Sequence, residues 1–177
     1  MKWNLDAAHS HADFSVKHLM ISTVRGRFTK MEGTGETNAD GTLKSAVLTL
    51  ETASIDTNTP QRDVHLRSAD FFDAAKNPKT VFTSTQIEQS GTDVTIVGNL
   101  SMHGATHPVT LKGEMTGPIT DPWGNPRMGL NVSGKLNRKE WGLTYNSVIE
   151  SGGVVISEEV KLTVEVEAVG EKAAVAA

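Results

Sequence analysis

The sequence contains no cysteine. That excludes disulfides, thiolate metal sites and a cysteine nucleophile, and leaves the redox character of its compartment unread. Aromatic residues are scarce, with five Phe, three Trp and one Tyr, so the inward faces must be mostly Val, Leu, Ile and Met. No apolar run approaches the length of a membrane-spanning helix. The opening segment MKWNLDAAHSHADF has no apolar stretch of signal-peptide length, because Asp6, His9 and His11 interrupt it. As written, the chain is expected in the cytoplasm, or in the periplasm if a leader has been removed. A strong excess of one charge is also lacking: the formal net charge is −4, with no dense Lys/Arg stripe. Nucleic acid is therefore not an expected partner.

What the chain has instead is alternation. A length of 177 residues suits one domain, expected over residues 1–170 with a disordered tail over 171–177. In VVISEEVKLTVEVEAV, Val154, Ile156, Val160, Leu162, Val164 and Val166 share one face, and Glu159, Lys161, Thr163 and Glu165 share the other. This is a strand with one dry and one wet side. The same period runs through Val94, Ile96, Leu100 and Met102, through Val109, Leu111 and Met115, and through Met128, Leu130, Val132 and Leu136. Turn signals such as Ser90-Gly91, His103-Gly104 and Gly124-Asn125 separate these runs. The N-terminal half repeats the pattern at Phe14, Val16, Val24 and Phe28.

One segment reads differently. TPQRDVHLRSADFFDAAKNP offers Thr59 as a cap, Pro60 at the first helical position and Asn77-Pro78 as a stop, so a helical excursion is expected over about residues 60–77. About eight strands in hairpin order with one such excursion define an all-β fold, an antiparallel β-barrel or a sandwich. Closure is favoured because it leaves no sticky edge, and internal glycines at Gly26, Gly98, Gly113, Gly129 and Gly134 let long strands coil. A barrel of that size is either filled by its own side chains or shaped around one small ligand. Periodicity does not distinguish a solid interior from a hollow one.

Three clusters exceed what strands require: WNLDAAHSHADFSVKHL near the start, RDVHLRSADFFDAAKNP in the excursion, and LNRKEWGL late in the chain. With the hairpin LSMHGATHPVTL, this ordered set closely resembles the YceI-like family of bacterial lipocalin-like proteins, over about Trp3 to Val169. The matching residues are His9-Ser10, the Arg67-Ser68-Asp70-Phe71-Phe72 run, and Asn137-Arg138 with Trp141-Gly142. The resemblance implies a lipocalin-like barrel whose elongated cavity binds an isoprenoid amphiphile without catalysis, cofactor or metal. A prenyl diphosphate or a quinone tail is the typical ligand, and carriage, storage or shielding the implied role.

On that barrel, Phe14, Val16, Leu19, Val24, Phe28, Phe71, Phe72, Phe82, Leu100, Met102, Met128, Leu130 and Trp141 are expected to line an apolar pocket. His9, His65, Arg67 and Arg138 are expected at a polar mouth, where an arginine or His65 meets a diphosphate or other headgroup. Each arginine also has a structural alternative: pairing with Asp70 or Asp73, or stacking on Trp141. His9 and His11 share a strand face, and His18, His103 or His107 could complete a metal set, but no His-Glu-x-x-His helix accompanies them. Ser10 and Ser68 lie near histidines without a Gly-x-Ser-x-Gly elbow. An enzyme acting on an amphiphile is therefore the competing expectation, and a solid barrel serving as a protein-interaction module is another. The apolar corner Leu19-Met20-Ile21 is expected either to fold into one end of the pocket or to face a partner subunit in a homodimer.

Overall fold

A computed structural model describes residues 1–150 and 152–171. Six of its eleven strands form the N-terminal half: β1 (Lys2–Leu5), β2 (His11–His18), β3 (Ser22–Phe28), β4 (Met31–Thr37), β5 (Leu43–Glu51) and β6 (Ile55–Asp56). The helix α1 (Pro60–Arg67) follows, and then the long strands β7 (Lys79–Ser90), β8 (Asp93–Met102), β9 (Ala105–Thr120), β10 (Pro126–Asn137) and β11 (Ile156–Gly170). The expected tail over residues 171–177 lies outside the described residues from residue 172 onward.

The sheet closes into an eight-stranded antiparallel barrel, in the order β1-β4-β5-β7-β8-β9-β10-β11 and back to β1. The join is made at the end of β11, where Gly170, Val169 and Ala168 pair with Trp3, Asn4 and Leu5. Farther along, the same edge of β11 pairs with β2, from Glu165 opposite His11 to Ile156 opposite His18. β2 therefore prolongs the line of β1 beyond a short 3-10 turn at Ala7–His9, and β3 and β6 prolong β4 and β5 in the same way. Ser10 spans the break: its hydroxyl donates to the Asp6 carbonyl at 2.7 Å and accepts from the Glu167 N–H at 3.1 Å.

The two ends of the barrel differ. At one end the Trp3 ring is buried, its Nε1 donates to Thr37 Oγ1 at 3.0 Å, and Leu43, Met115, Met128 and Ala168 belong to the same core cluster. Outside the wall near this end, the Arg127 guanidinium bonds Asp121, Asp6 and Glu167. At the other end lie α1, the β2–β3 turn and the long connection between β10 and β11.

The helix is shorter than its sequence signals suggested. Thr59 occupies the cap position and Pro60 the first turn, but the Thr59 hydroxyl makes no cap bond and instead accepts from Arg62 Nη2 at 3.1 Å. The helix stops at Arg67, where the Ser68 hydroxyl takes the His65 carbonyl at 2.6 Å. Turns then carry the chain through Asp73, at φ 44°, toward Asn77. Stopping early lets Phe71 and Phe72 point back to the barrel; a continuous helix would carry them past it.

The β2–β3 turn is unusual chemically. Ile21 N–H donates to the His18 carbonyl at 3.0 Å, so Leu19 and Met20 are the two central residues of the turn. Both are left-handed, at φ 52° and 57°. Asn-Gly is the usual solution there, and each bulky residue in that region costs about 1–3 kcal/mol.

Candidate functional site

The barrel is hollow. A cavity of about 460 Å³ runs through it, within the 300–1,000 Å³ typical of small-molecule sites. Its walls come from the inward face of every ring strand, with Leu48 from β5, Phe82 from β7, Ile96 from β8, Leu111 from β9, Val132 from β10 and Val164 from β11 among them. Two aromatic rings are seated over glycine. A Cβ at Gly26 would stand 2.4 Å from Phe14 Cζ, and one at Gly98 would stand 2.3 Å from Phe82 Cζ. At these positions glycine makes a recess for a ring, beyond any help it gives to coiling, and the lumen stays open as a result.

Polar lining gathers toward one end. His18 ends β2, Arg62 and His65 come from α1, and Tyr145 and Ser147 come from the β10–β11 connection. His65, Phe71 and Tyr145 form an aromatic group there. The His65 ring meets Phe71 edge-on at 5.1 Å and Tyr145 at 4.9 Å, while its Nε2 lies 2.8 Å from Asp70 Oδ2. Arg62 is held by Thr57 Oγ1 at 2.8 Å and the Thr57 carbonyl at 3.0 Å. Thr57 in turn donates from its N–H and hydroxyl to Asp63, a buried carboxylate, which ties α1 to β6.

The structure brings most of the expected residues together. Phe14, Val16, Val24, Phe28, Phe71, Phe72, Phe82, Leu100, Met102, Met128 and Leu130 all line the cavity, as do His65 and Arg138. Four lie elsewhere. Leu19 is outside the lining, because its N–H pairs with the Val155 carbonyl at 2.8 Å and the turn points away. The pocket-plug expectation for Leu19-Met20-Ile21 fails with it. Trp141, 1% exposed, packs on His107 and donates Nε1 to the Leu100 carbonyl at 2.9 Å, so it holds the wall together and does not face the lumen. His9 stands exposed on the outer wall beside the closed end, its Nδ1 3.0 Å from Asp6 Oδ2. Arg67 is absent from the lining and donates to the carbonyls of Ala53 and Ile55, fastening α1 down.

Arg138 reaches the lining but has little left to offer a headgroup. It is 4% exposed and donates to the carbonyls of Ser157, Leu143 and Ile156. Burial pushes its pKa down, since a guanidinium facing only carbonyls keeps most of its desolvation penalty. Neither the Arg67 nor the Arg138 guanidinium pairs with Asp70 or Asp73. Ligand-type atoms of Asp6, His9 and Glu167 do gather within 4.8 Å, but Arg127 already bonds both carboxylates.

Sequence reasoning passed over Arg62, Tyr145 and the inward face of β11. For β11 the signal was present: Val160, Leu162, Val164 and Val166 alternate without fault and all line the cavity. The alternation does not extend back to Val154, because the register between Ile156 and Val160 is shifted against β2 and the strand begins at Ile156. Val154 is exposed and Val155 lines the opening, the reverse of the expected faces.

A closed antiparallel barrel around an apolar lumen, open toward a rim that a short helix and a long loop share, places the molecule in the lipocalin-like class. Within that class, the model of the YceI-like domain matches residues 3–168, and the chain belongs to the YceI-like family. It is 37% identical over 172 residues to Protein YceI of Escherichia coli, covering 97% of this chain and 87% of that protein. A Campylobacter jejuni YceI protein of known crystal structure is 29% identical and superposes with a TM-score of 0.77, over 88% of this chain and 90% of that one. A polyisoprenoid binding domain from Saccharophagus degradans shares the fold at 17% identity, with a TM-score of 0.67 over 96% of this chain and 98% of that one.

Proposed function

We propose that the chain binds a polyisoprenoid amphiphile, a prenyl diphosphate or an isoprenoid quinone, with its tail in the barrel lumen and without catalysis, for carriage, storage or shielding. The observation that carries this reading is the cavity itself, about 460 Å³, lined by all eight ring strands and walled mainly by aliphatic and phenyl groups. The family relationship and the binding described for the Saccharophagus domain support it.

Transfer free energy favours a long tail. Each buried methylene contributes about 0.8 kcal/mol, so one isoprene unit contributes roughly 3–4 kcal/mol before losses. Eight units would nominally exceed the practical ceiling near 20 kcal/mol. Ordering the chain must offset much of this gain. A headgroup near Arg62 and His65 would then set direction, and the tail would set affinity. The test is organic extraction of the purified protein followed by mass spectrometry. A co-purifying isoprenoid is expected; repeated empty extracts, together with no uptake of added prenyl alcohol, would overturn the proposal.

A further inference from the structure

The cavity opens amid a patch of uncovered apolar side chains. Ile21 is 84% exposed and Met20 68%, both on the β2–β3 turn, and Val148 is 81% exposed on the β10–β11 connection. These segments adjoin: Leu19 N–H donates to the Val155 carbonyl, and Val148 pairs with Val154 across a β-bridge. The patch is continuous with the lumen, because Ser147 and Val155, the immediate neighbours of Val148 and Val154, line the cavity. A soluble chain rarely leaves such residues bare without a use, and here two left-handed residues, Leu19 and Met20, hold the turn outward.

We propose that this rim seats on a lipid bilayer, with Met20, Ile21 and Val148 inserted at the headgroup boundary and the barrel mouth facing the membrane. This inference rests on the isoprenoid-binding reading, since an isoprenoid tail partitions into membranes and must leave one to enter the barrel. Two features favour a bilayer over a second copy or a protein. A protein seated on the rim would cap the mouth, whereas lipid leaves the tail a continuous apolar path. Lys17 and Arg25 also stand behind the turn on the outer face of β2 and β3, and neither forms an ion pair among the described residues. Lys17 lies one residue inside the end of β2 and three before Met20, so it stands behind the tip of the turn. That suits a cation at the phosphate layer while the turn sits just below it. The acidic Glu150 lies in the turn beyond the Val148–Val154 bridge, which favours shallow seating.

The test is flotation of the full chain with vesicles of phosphatidylcholine alone and of phosphatidylcholine mixed with phosphatidylglycerol. The wild type is expected to float with both, more strongly with the anionic mixture. Met20→Glu with Ile21→Glu should lower the vesicle association constant about ten-fold or more, and Val148→Glu alone should lower it too. Lys17→Gln with Arg25→Gln should remove the preference for anionic vesicles. Met20, Ile21 and Val148 are exposed and lie outside the cavity lining, so equilibrium uptake of farnesol, delivered without vesicles, should be unchanged in the glutamate variants. A wild type that stays in the dense fraction, or a glutamate variant that floats equally well, overturns membrane docking even if farnesol binds. Light scattering that shows a wild-type dimer split by the same substitutions, with no flotation, assigns the patch to self-association and also overturns it. Absent farnesol uptake with intact flotation fails the cavity reading and leaves the docking result standing.

Discussion

The phenyl ring of Phe14 lies directly over Gly26, its register partner on β3, so that a methyl group at residue 26 would stand 2.4 Å from Cζ. Phe82 also covers a glycine, Gly98 on β8, reaching it diagonally because Gly98 pairs with Ser84. Around Gly26 the nearest atoms all belong to side chains, Phe14 and Thr57. At Gly98 the Thr83 carbonyl is also 2.6 Å from the added atom.

That contrast separates two alanine substitutions. Gly26→Ala should push the Phe14 ring into the lumen, where there is room, with a small loss of stability and shortening of the longest isoprenoid accepted. Gly98→Ala meets backbone and should cost about 1–3 kcal/mol in urea unfolding. Equal stability losses, or unaltered chain-length preference in Gly26→Ala, would refute the recess explanation.

Arg138 is assigned to the wall and not to the ligand. Arg138→Met should leave the carbonyls of Leu143, Ser157 and Ile156 short of donors, and lower stability by about 2–4 kcal/mol. Prenyl alcohol and prenyl diphosphate should still bind the folded fraction in their wild-type ratio, which paired titrations would report. A selective loss of the diphosphate would place Arg138 at the headgroup after all.

The closed end should be acid-sensitive. Arg127 first, helped by the Asn125 and Trp123 backbone N–H groups and the Asn125 side chain, holds the Asp121 carboxyl well below its ordinary value of 3.8; Asp6 is lowered by His9 first and Arg127 second. Groups whose folded pKa is depressed contribute stability that is full above the unfolded value and is lost progressively as pH falls from there through the folded value. Melting temperature should therefore hold from neutrality to about pH 5 and decline below it. Arg127→Gln should lower the neutral value and shallow the decline. An identical acid slope in the variant would show that this cluster does not set it.

Filling the lumen should abolish binding without unfolding the barrel. Leu162 lines the cavity midway along β11 and is only partly buried by protein, so Leu162→Trp places an indole in empty space. Isoprenoid uptake should drop at least ten-fold, a difference of about 1.4 kcal/mol or more, with the melting temperature kept or raised. A variant that binds normally would mean that the ligand lies elsewhere.

How far the sequence anticipated this site follows from what alternation encodes. Val94, Ile96, Leu100 and Met102 face inward as their period requires, and so do Met128, Leu130, Val132 and Leu136. Side-chain direction in a strand is a local property. Position along the barrel axis is not, and there the reasoning slipped. His9 and Arg67 have the chemistry of a mouth, but His9 stands at the outer wall near the closed end and Arg67, ending α1, is spent on the Ala53 and Ile55 carbonyls. Trp141 has the character of a lining residue but follows β10 in a 3-10 turn whose geometry sends it behind β8 and β9. Hollowness itself was illegible, since a filled and an empty barrel share one periodicity.

The central claim, that the tail supplies the affinity, is tested most directly by calorimetric titration of prenyl alcohols of increasing length at fixed headgroup. The account predicts that each added isoprene unit tightens binding about ten-fold, roughly 1.4 kcal/mol net of chain ordering, until the lumen is full and the series levels off. Affinity that ignores length, or that vanishes when only the headgroup is changed, would contradict it.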